Sequence, residues 1–295
     1  LMDLKKIIKE NSKRPVKDNS VDAYYHLIKK LNFGKDVTSL DFLYNINKIV
    51  GIISHLAITT RKNYISAICI SLTAVGGYDV LYKKYKQLLD ELVGNFNEQL
   101  AKNEKTDKQE KNWVSLQFLR DRVTDAREKW EADPTDMFLL QDYIIGMLYT
   151  EIPPARLDYA NMMMSEFPIE SDRNNFFIKS TNTFLLNEYK SSKKYGKVYL
   201  KIKSQELINV IKVWLKVNTT DYFLINRLAN PLSEHQLGQN ISRIFSTPEK
   251  HLYLNLIRSI TVSESIDYQA IRNANELAAG MLHSPSTQQG TYFKR

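Results

Sequence analysis

Apolar positions recur every three to four residues along most of the chain, lapse over 102–112, give way to short aromatic runs after 174, and then return to helical spacing. In NSVDAYYHLIKKLNFG, Val21, Tyr24, Leu27, Ile28 and Leu31 form one stripe, with Ser20 as a helix N-cap and Gly34 as a stop. Further helices are predicted in SLDFLYNINKIVGIISHL, in TTRKNYISAICISLTAVG opened by Thr59 or Thr60, and in YDVLYKKYKQLLDELVGNFNEQLAKN. The first hundred residues therefore read as a small all-helical unit.

KNEKTDKQEKN, residues 102–112, contains no hydrophobic side chain, so it is expected to be an unstructured linker. Beyond it, VSLQFLRDRVTDAREKWEA and PTDMFLLQDYIIGMLYT read as helices, with Pro134 in the first turn of the latter. NNFFIKSTNTFLLNEYKSSKKYGKVYLKIKS has β-branched and aromatic runs between polar turns and predicts two or three antiparallel strands. Helical spacing resumes in SQELINVIKVWLKV, SEHQLGQNISRIF, HLYLNLIRSITVSES and YQAIRNANELAAGML. The expected fold is mainly α with a small antiparallel β-sheet, in two domains: 1–101, a linker over 102–112, and 113–295.

Composition narrows the partners. A net charge of +8 and a pI near 9.2 favour an anionic partner, with nucleic acid the commonest for a basic chain. The lone cysteine, Cys69, sits in the apolar run ISAICISL and reads as a core residue, since one cysteine makes neither an internal disulfide nor a thiolate metal site. No run approaches a membrane span, and LMDLKKIIKENSKR lacks the apolar core of a signal peptide, so an intracellular protein is expected.

Several chemistries are set aside. The chain has no glycine-rich phosphate loop, no histidine pair at helical spacing, no carboxylate cluster and no serine-hydrolase elbow, so no metal site is expected. What remains is basic: Arg156 in PPARLDY, lysines in the turn over 190–197, Arg258 in NLIRSI, then His283 and Tyr292 in LHSPSTQQGTY. Such a set suits phosphodiester chemistry. Guanidinium groups clamp nonbridging oxygens, a lysine protonates a leaving hydroxyl, and a tyrosine attacks phosphorus.

In order and spacing these residues resemble the tyrosine recombinases, or phage-type integrases. Tyr292 follows His283 by nine residues, as in the family's histidine-to-tyrosine turn, and the resemblance extends over about residues 15 to 295. SVDAYYHLIKKL and TTRKNYISAICISL look like the first and third helices of the family's core-DNA-binding domain, and PPARLDY with YKSSKKYG looks nearer to integrases of large DNA viruses and virophages. The resemblance implies a helical, SAM-like core-DNA-binding domain followed by a mixed α+β catalytic domain. It also implies a mobile-element protein working in the nucleus or a viral replication compartment if its host is eukaryotic, and otherwise in the cytoplasm.

The resemblance further implies a role for each residue. Arg156 and Arg258 would hold the scissile phosphate, Lys190 would protonate the departing 5′-hydroxyl, His283 would bond a phosphate oxygen, and Tyr292 would form the 3′-phosphotyrosyl link. Lys193 competes with Lys190 for the acid role. Neither metal nor ATP would be needed, and the partners would be double-stranded DNA and further copies of the chain, up to a tetramer on DNA. Three positions depart from the family: Asn255 stands where a histidine is usual, Tyr159 where an acid is usual beside Asp158, and Leu282 where glycine is usual. An amide cannot take the tyrosine's proton, so the base for Tyr292 is left open.

Arg61, Lys62 and Asn63 open the helix whose family equivalent faces DNA, and Lys193, Lys194, Arg243, Lys250 and His251 are further candidate phosphate contacts. Two other readings stand beside recombination. One is a monomeric type IB topoisomerase, which shares the catalytic set. The other is a DNA-binding protein of the same fold that has lost cleavage, for which Asn255 speaks.

Overall fold

The computed structural model describes residues 2–12, 15–167, 174–282 and 284. The chain divides into two compact units, 1–104 and 105–295.

Unit 1 is helical: α1 (Leu4–Asn11), α2 (Asp18–Leu31), a 3-10 turn (Asp41–Tyr44), α3 (Ile46–Ile53), α4 (Ile58–Val75) and α5 (Asp79–Ala101). The amphipathic stripe of α2 is buried at Val21, Ile28 and Leu31, and Gly34 ends the segment at φ 78°, a left-handed geometry that glycine adopts without strain. The second expected helix is broken, because Asn45 caps a fresh helix at Ile46 by accepting from the Lys48 amide. The third starts at Ile58 behind Ala57, ahead of the threonines expected to open it. α4 is the centre of the unit, burying Ile65, Ala67, Ile68, Cys69, Ser71, Leu72 and Ala74. Burial also raises the Cys69 thiol pKa to about 11, consistent with a packing residue.

Unit 2 holds α6 (Asp107–Asn112), α7 (Leu116–Ala132), α8 (Met137–Leu148), α9 (Ser192–Tyr195), α10 (Gln205–Val217), α11 (Glu234–Phe245), α12 (Leu254–Ser265) and α13 (Tyr268–Gly280), with strands β1 (Met163–Ser165), β2 (Phe176–Ile178), β3 (Thr183–Leu186) and β4 (Val198–Lys201). α8 is apolar nearly all round and is buried at every position from Leu140 to Leu148 except Asp142, which makes it the central helix. It starts at Met137 with Asp136 as cap, leaving Pro134 outside the helix.

The expectation of an unstructured 102–112 fails over its second half. Thr106 and Gln109 form a reciprocal capping box at the start of α6, so local polar bonds order a segment that has no apolar face. Its last residue is buried. Asn112 donates to the Lys108 carbonyl at 2.8 Å and accepts from the His251 amide at 2.7 Å, while Lys250 Nζ donates to the Lys111 carbonyl at 2.7 Å.

The sheet is mixed, which corrects the expected all-antiparallel one. Its order is β1-β2-β3-β4: β2, β3 and β4 are antiparallel, with Phe177 opposite Phe184 and Phe184 opposite Leu200, but β1 runs parallel to β2 with Met163 opposite Phe176. The three-residue MMS has no alternation, and its pairing depends on a distant partner. Phe177, Phe184 and Phe223 meet with ring centroids 5.0 to 5.3 Å apart, and Tyr159 packs on Phe184 at 5.0 Å. These contacts join the sheet to the loop that carries Arg156.

Candidate active site

α8 ends at Leu148, and the chain then crosses EIPPARLDYA to reach β1. The two prolines of this segment bar helix and strand, so its carbonyls need partners from elsewhere. Three side chains supply them at alternate residues. Arg258 Nε, on α12, donates to the Pro154 carbonyl at 3.1 Å; Tyr149 Oη donates to the Arg156 carbonyl at 2.8 Å; Asn175 Nδ2 donates to the Asp158 carbonyl at 2.9 Å. The Arg156 amide in turn donates to Asp158 Oδ2 at 3.1 Å. The loop is thus fixed from a helix, from the end of α8 and from the sheet.

Arg156 and Arg258, far apart in sequence, come to one loop, where both charges act on the Asp158 carboxyl. Burial pushes the Asp158 pKa above the ordinary aspartate value, while the Arg156 amide and the charges of Arg156 and Arg258 pull it back. The Tyr149 hydroxyl, deeply buried, is raised well above the usual tyrosine value by desolvation first and by Tyr159 and Asp158 next, with Arg258 opposing. Tyr159 is likewise raised by burial, and its hydroxyl is enclosed without a hydrogen-bond partner among the described residues. Tyr149 and Tyr159 therefore stay neutral, and the local charge is that of two guanidiniums set against one carboxylate. A pair of half-buried arginines in excess over a single acid is suited to an anion with several oxygens.

The candidate acid stands on the neighbouring turn. Lys190 is exposed and follows β3 by four residues, in the connection to β4 that contains α9, which Gly196 caps with φ 70°. Tyr189 Oη donates to the Gly196 carbonyl at 2.8 Å and closes this turn. The hairpin expected over 190–197 therefore contains a helical turn, on which Lys193 and Lys194 are exposed, Lys194 Nζ lying 5.0 Å from the Tyr195 ring. Asn255 is exposed in the first turn of α12, one helical turn before Arg258. His283 and Tyr292 lie outside the described residues.

The other candidates are distributed. Arg61, Lys62 and Asn63 lie in the first turns of α4; Lys62 Nζ stands 3.8 Å over the Phe96 ring, and Arg61 Nε is buried without a partner among the described residues. Arg243 makes a two-pronged ion pair with Asp142 at 2.7 and 2.6 Å, beside a groove of about 550 Å³ between α8 and α11 that contains none of Arg156, Lys190 and Arg258. Its guanidinium is therefore held by Asp142, while the Lys250 ammonium and the His251 amide bond to α6. Sequence reasoning missed Asn175 and Tyr149. Both act on backbone carbonyls, and a bond to a carbonyl leaves no pattern in the residues that make it.

Among the described residues, no helix is long and apolar enough to cross a membrane. No family model matches the sequence, and no curated protein resembles it closely enough to count as a relative. Among solved structures, a crystal structure of XerA recombinase aligns over 90% of this chain and 85% of that one, at 11% identity and a TM-score of 0.35, a likeness too slight to carry an argument.

Proposed function

We propose that the chain is a site-specific DNA recombinase that cleaves and rejoins strands through a 3′-phosphotyrosyl intermediate. The observation that supports this best is the convergence of Arg156 and Arg258 on the Asp158 loop, with the lysine turn tied to the same loop. In this reading the two guanidiniums bind the nonbridging oxygens of the scissile phosphate and stabilise the charge that grows on them in the transition state. The Tyr292 oxygen forms a bond to phosphorus, its proton passing to water, as the bond to the 5′-oxygen breaks. Lys190 gives that oxygen a proton, and it departs as a hydroxyl. Rejoining is the reverse, with the energy of the broken bond retained in the tyrosyl ester, so neither ATP nor a metal enters the balance. Copies of the chain would assemble on two DNA sites, as a dimer to a tetramer, and exchange the ends.

The test is covalent capture. The protein is mixed with a pool of sequence-randomised duplexes nicked in one strand, so that cleavage releases a short fragment and traps the ester, and the mixture is denatured. A protein–DNA adduct that disappears in Tyr292→Phe is expected. Binding to duplexes without any adduct would instead favour the cleavage-deficient reading, which Asn255 in the histidine position supports. Relaxation of supercoiled DNA by a monomer would favour the topoisomerase.

A further inference from the structure

We infer that Asn175 is the positioning residue that sets the lysine turn against the phosphate-clamping loop. It acts through Lys190 and does not itself touch DNA, and the inference rests on the proposed role of Lys190 as the acid. Asn175 directly precedes β2, and Asn187 and Glu188 directly follow β3; the register places Phe176 opposite Leu185, so these residues meet where the β2–β3 ladder ends. Beyond a ladder, backbone groups lose their strand partners. The buried Asn175 side chain replaces them. Its Oδ1 accepts from the Asn187 amide and the Glu188 amide, each at 2.9 Å, and its Nδ2 donates to the Glu188 carbonyl at 3.0 Å and the Asp158 carbonyl at 2.9 Å. Two acceptor sites and two donors exhaust what an asparagine amide ordinarily offers.

One side chain thus ties the residues just before Lys190 to the loop that presents Arg156 and Asp158. After Glu188 the turn is closed on itself by the bond from Tyr189 to Gly196. It therefore has its own shape, and its placement relative to Arg156 depends on the bonds at its root. A displacement of about an ångström there is enough to take a general acid out of reach of the atom it protonates. Asn187 has a separate tie, Nδ2 to the Asn174 carbonyl at 2.7 Å, which holds the strand end without reaching Asp158.

The experiment compares two leaving groups. A duplex captured from the randomised pool is resynthesised with sulfur in place of the bridging 5′-oxygen at the scissile phosphate. A thiolate, with a pKa of about 8.5 for a simple thiol, departs without being protonated. For Asn175→Ala, single-turnover adduct formation is expected to fall about tenfold to a hundredfold on the oxygen duplex and to stay within about threefold of wild type on the sulfur duplex, the loss expected of general acid catalysis alone. Lys190→Ala should show the same selectivity, and Asn187→Ala should not. An equal loss on both duplexes, or no loss on either, overturns the inference. If Asn175→Ala does not fold, Asn175→Asp, which keeps both acceptors and loses both donors, is read in the same way. Absence of any adduct with wild type would instead refute the proposed function, and this inference with it.

Discussion

Arg258 donates from Nε to the carbonyl oxygen of Pro154 at 3.1 Å, so the inner edge of its guanidinium is spent on the protein, while its terminal nitrogens have no hydrogen-bond partner among the described residues. A lysine at this position has one compact ammonium and cannot do both. Arg258 is thereby both a brace for the loop and a candidate ligand for an anion.

Replacing Arg258 by lysine should separate those two uses. With the proposed chemistry, adduct formation is expected to fall by about a hundredfold, the cost of removing one well-placed donor from a transition-state anion. Stability should fall by no more than about 1.5 to 3 kcal/mol, the worth of one hydrogen bond that involves a charged group. Single-turnover kinetics beside thermal melting check both halves. Full activity in the lysine variant would show that the guanidinium geometry is not used.

Asp158 gives a dependence on pH. Its carboxyl holds a proton to higher pH in the folded protein than in the unfolded chain, so over that window the folded state binds more protons. Stability therefore falls as pH rises from about 3.9, the unfolded value, through the raised folded value, and is level beyond it. Asp158→Asn should lack this fall, keeping the acceptor for the Arg156 amide while removing the titration. Arg258→Ala, which takes away a charge that lowers the Asp158 pKa, should move the window upward. Urea unfolding across acid to neutral pH distinguishes these slopes, and a wild type that gains stability relative to the asparagine variant as pH rises would contradict the assignment.

Under the proposed function, Arg243 and Lys193 should differ in how they affect binding to DNA. Arg243 is held by Asp142, so Arg243→Ala is expected to cost about 0.5 to 1 kcal/mol of stability and leave the salt dependence of binding unchanged. Lys193 is exposed, and Lys193→Ala should reduce the slope of log affinity against log salt by about 0.9, the value for one lost phosphate contact. Titrations on one duplex at several salt concentrations give both numbers.

Leu282 has φ 58° and is 94% exposed, a left-handed residue just past α13 that gains almost nothing from its side chain. Its amide donates to the Ala279 carbonyl at 3.0 Å in the manner of a helix stop. The left-handed geometry costs a non-glycine residue about 1 kcal/mol or more, of which the extra freedom of an unfolded glycine returns part. Leu282→Gly should therefore slow hydrogen exchange at the end of α13 by a factor of about two to five. Faster exchange would show that the leucine is not strained there.

The helices were legible in the sequence where a stripe was long and its caps were local: Ser204, Ser233 and Asp267 each cap the helix that follows. β2, β3 and β4 could be seen in their aromatic and β-branched runs. β1 could not, because three residues with two methionines carry no period, and its parallel partner comes from beyond the next loop. α6 was missed for the opposite reason: a reciprocal cap and one buried asparagine order a polar turn that has no apolar face, and the hydrophobic pattern is blind to it. Of the candidate site, the types and order of Arg156, Lys190 and Arg258 were readable. What joins them was not, since the bonds from Tyr149, Asn175 and Arg258 all end on carbonyls, which every residue has.

The order of the sheet also bears on how the protein keeps apart from itself. The outer side of β1 is occupied, with the Met164 amide bonded to the Asp221 carbonyl at 2.7 Å and the Phe223 amide to the Met162 carbonyl at 2.8 Å. The outer side of β4 has no strand partner among the described residues, and β4 exposes Tyr199 and Lys201, with Lys197 and Lys203 flanking it. An open strand edge is a template for another chain's strand, and lysines are a common guard against such pairing. The exposed lysines on and beside β4 fit that guarding role. A variant that neutralised them to weaken binding would also be stripped of its protection against edge-to-edge aggregation.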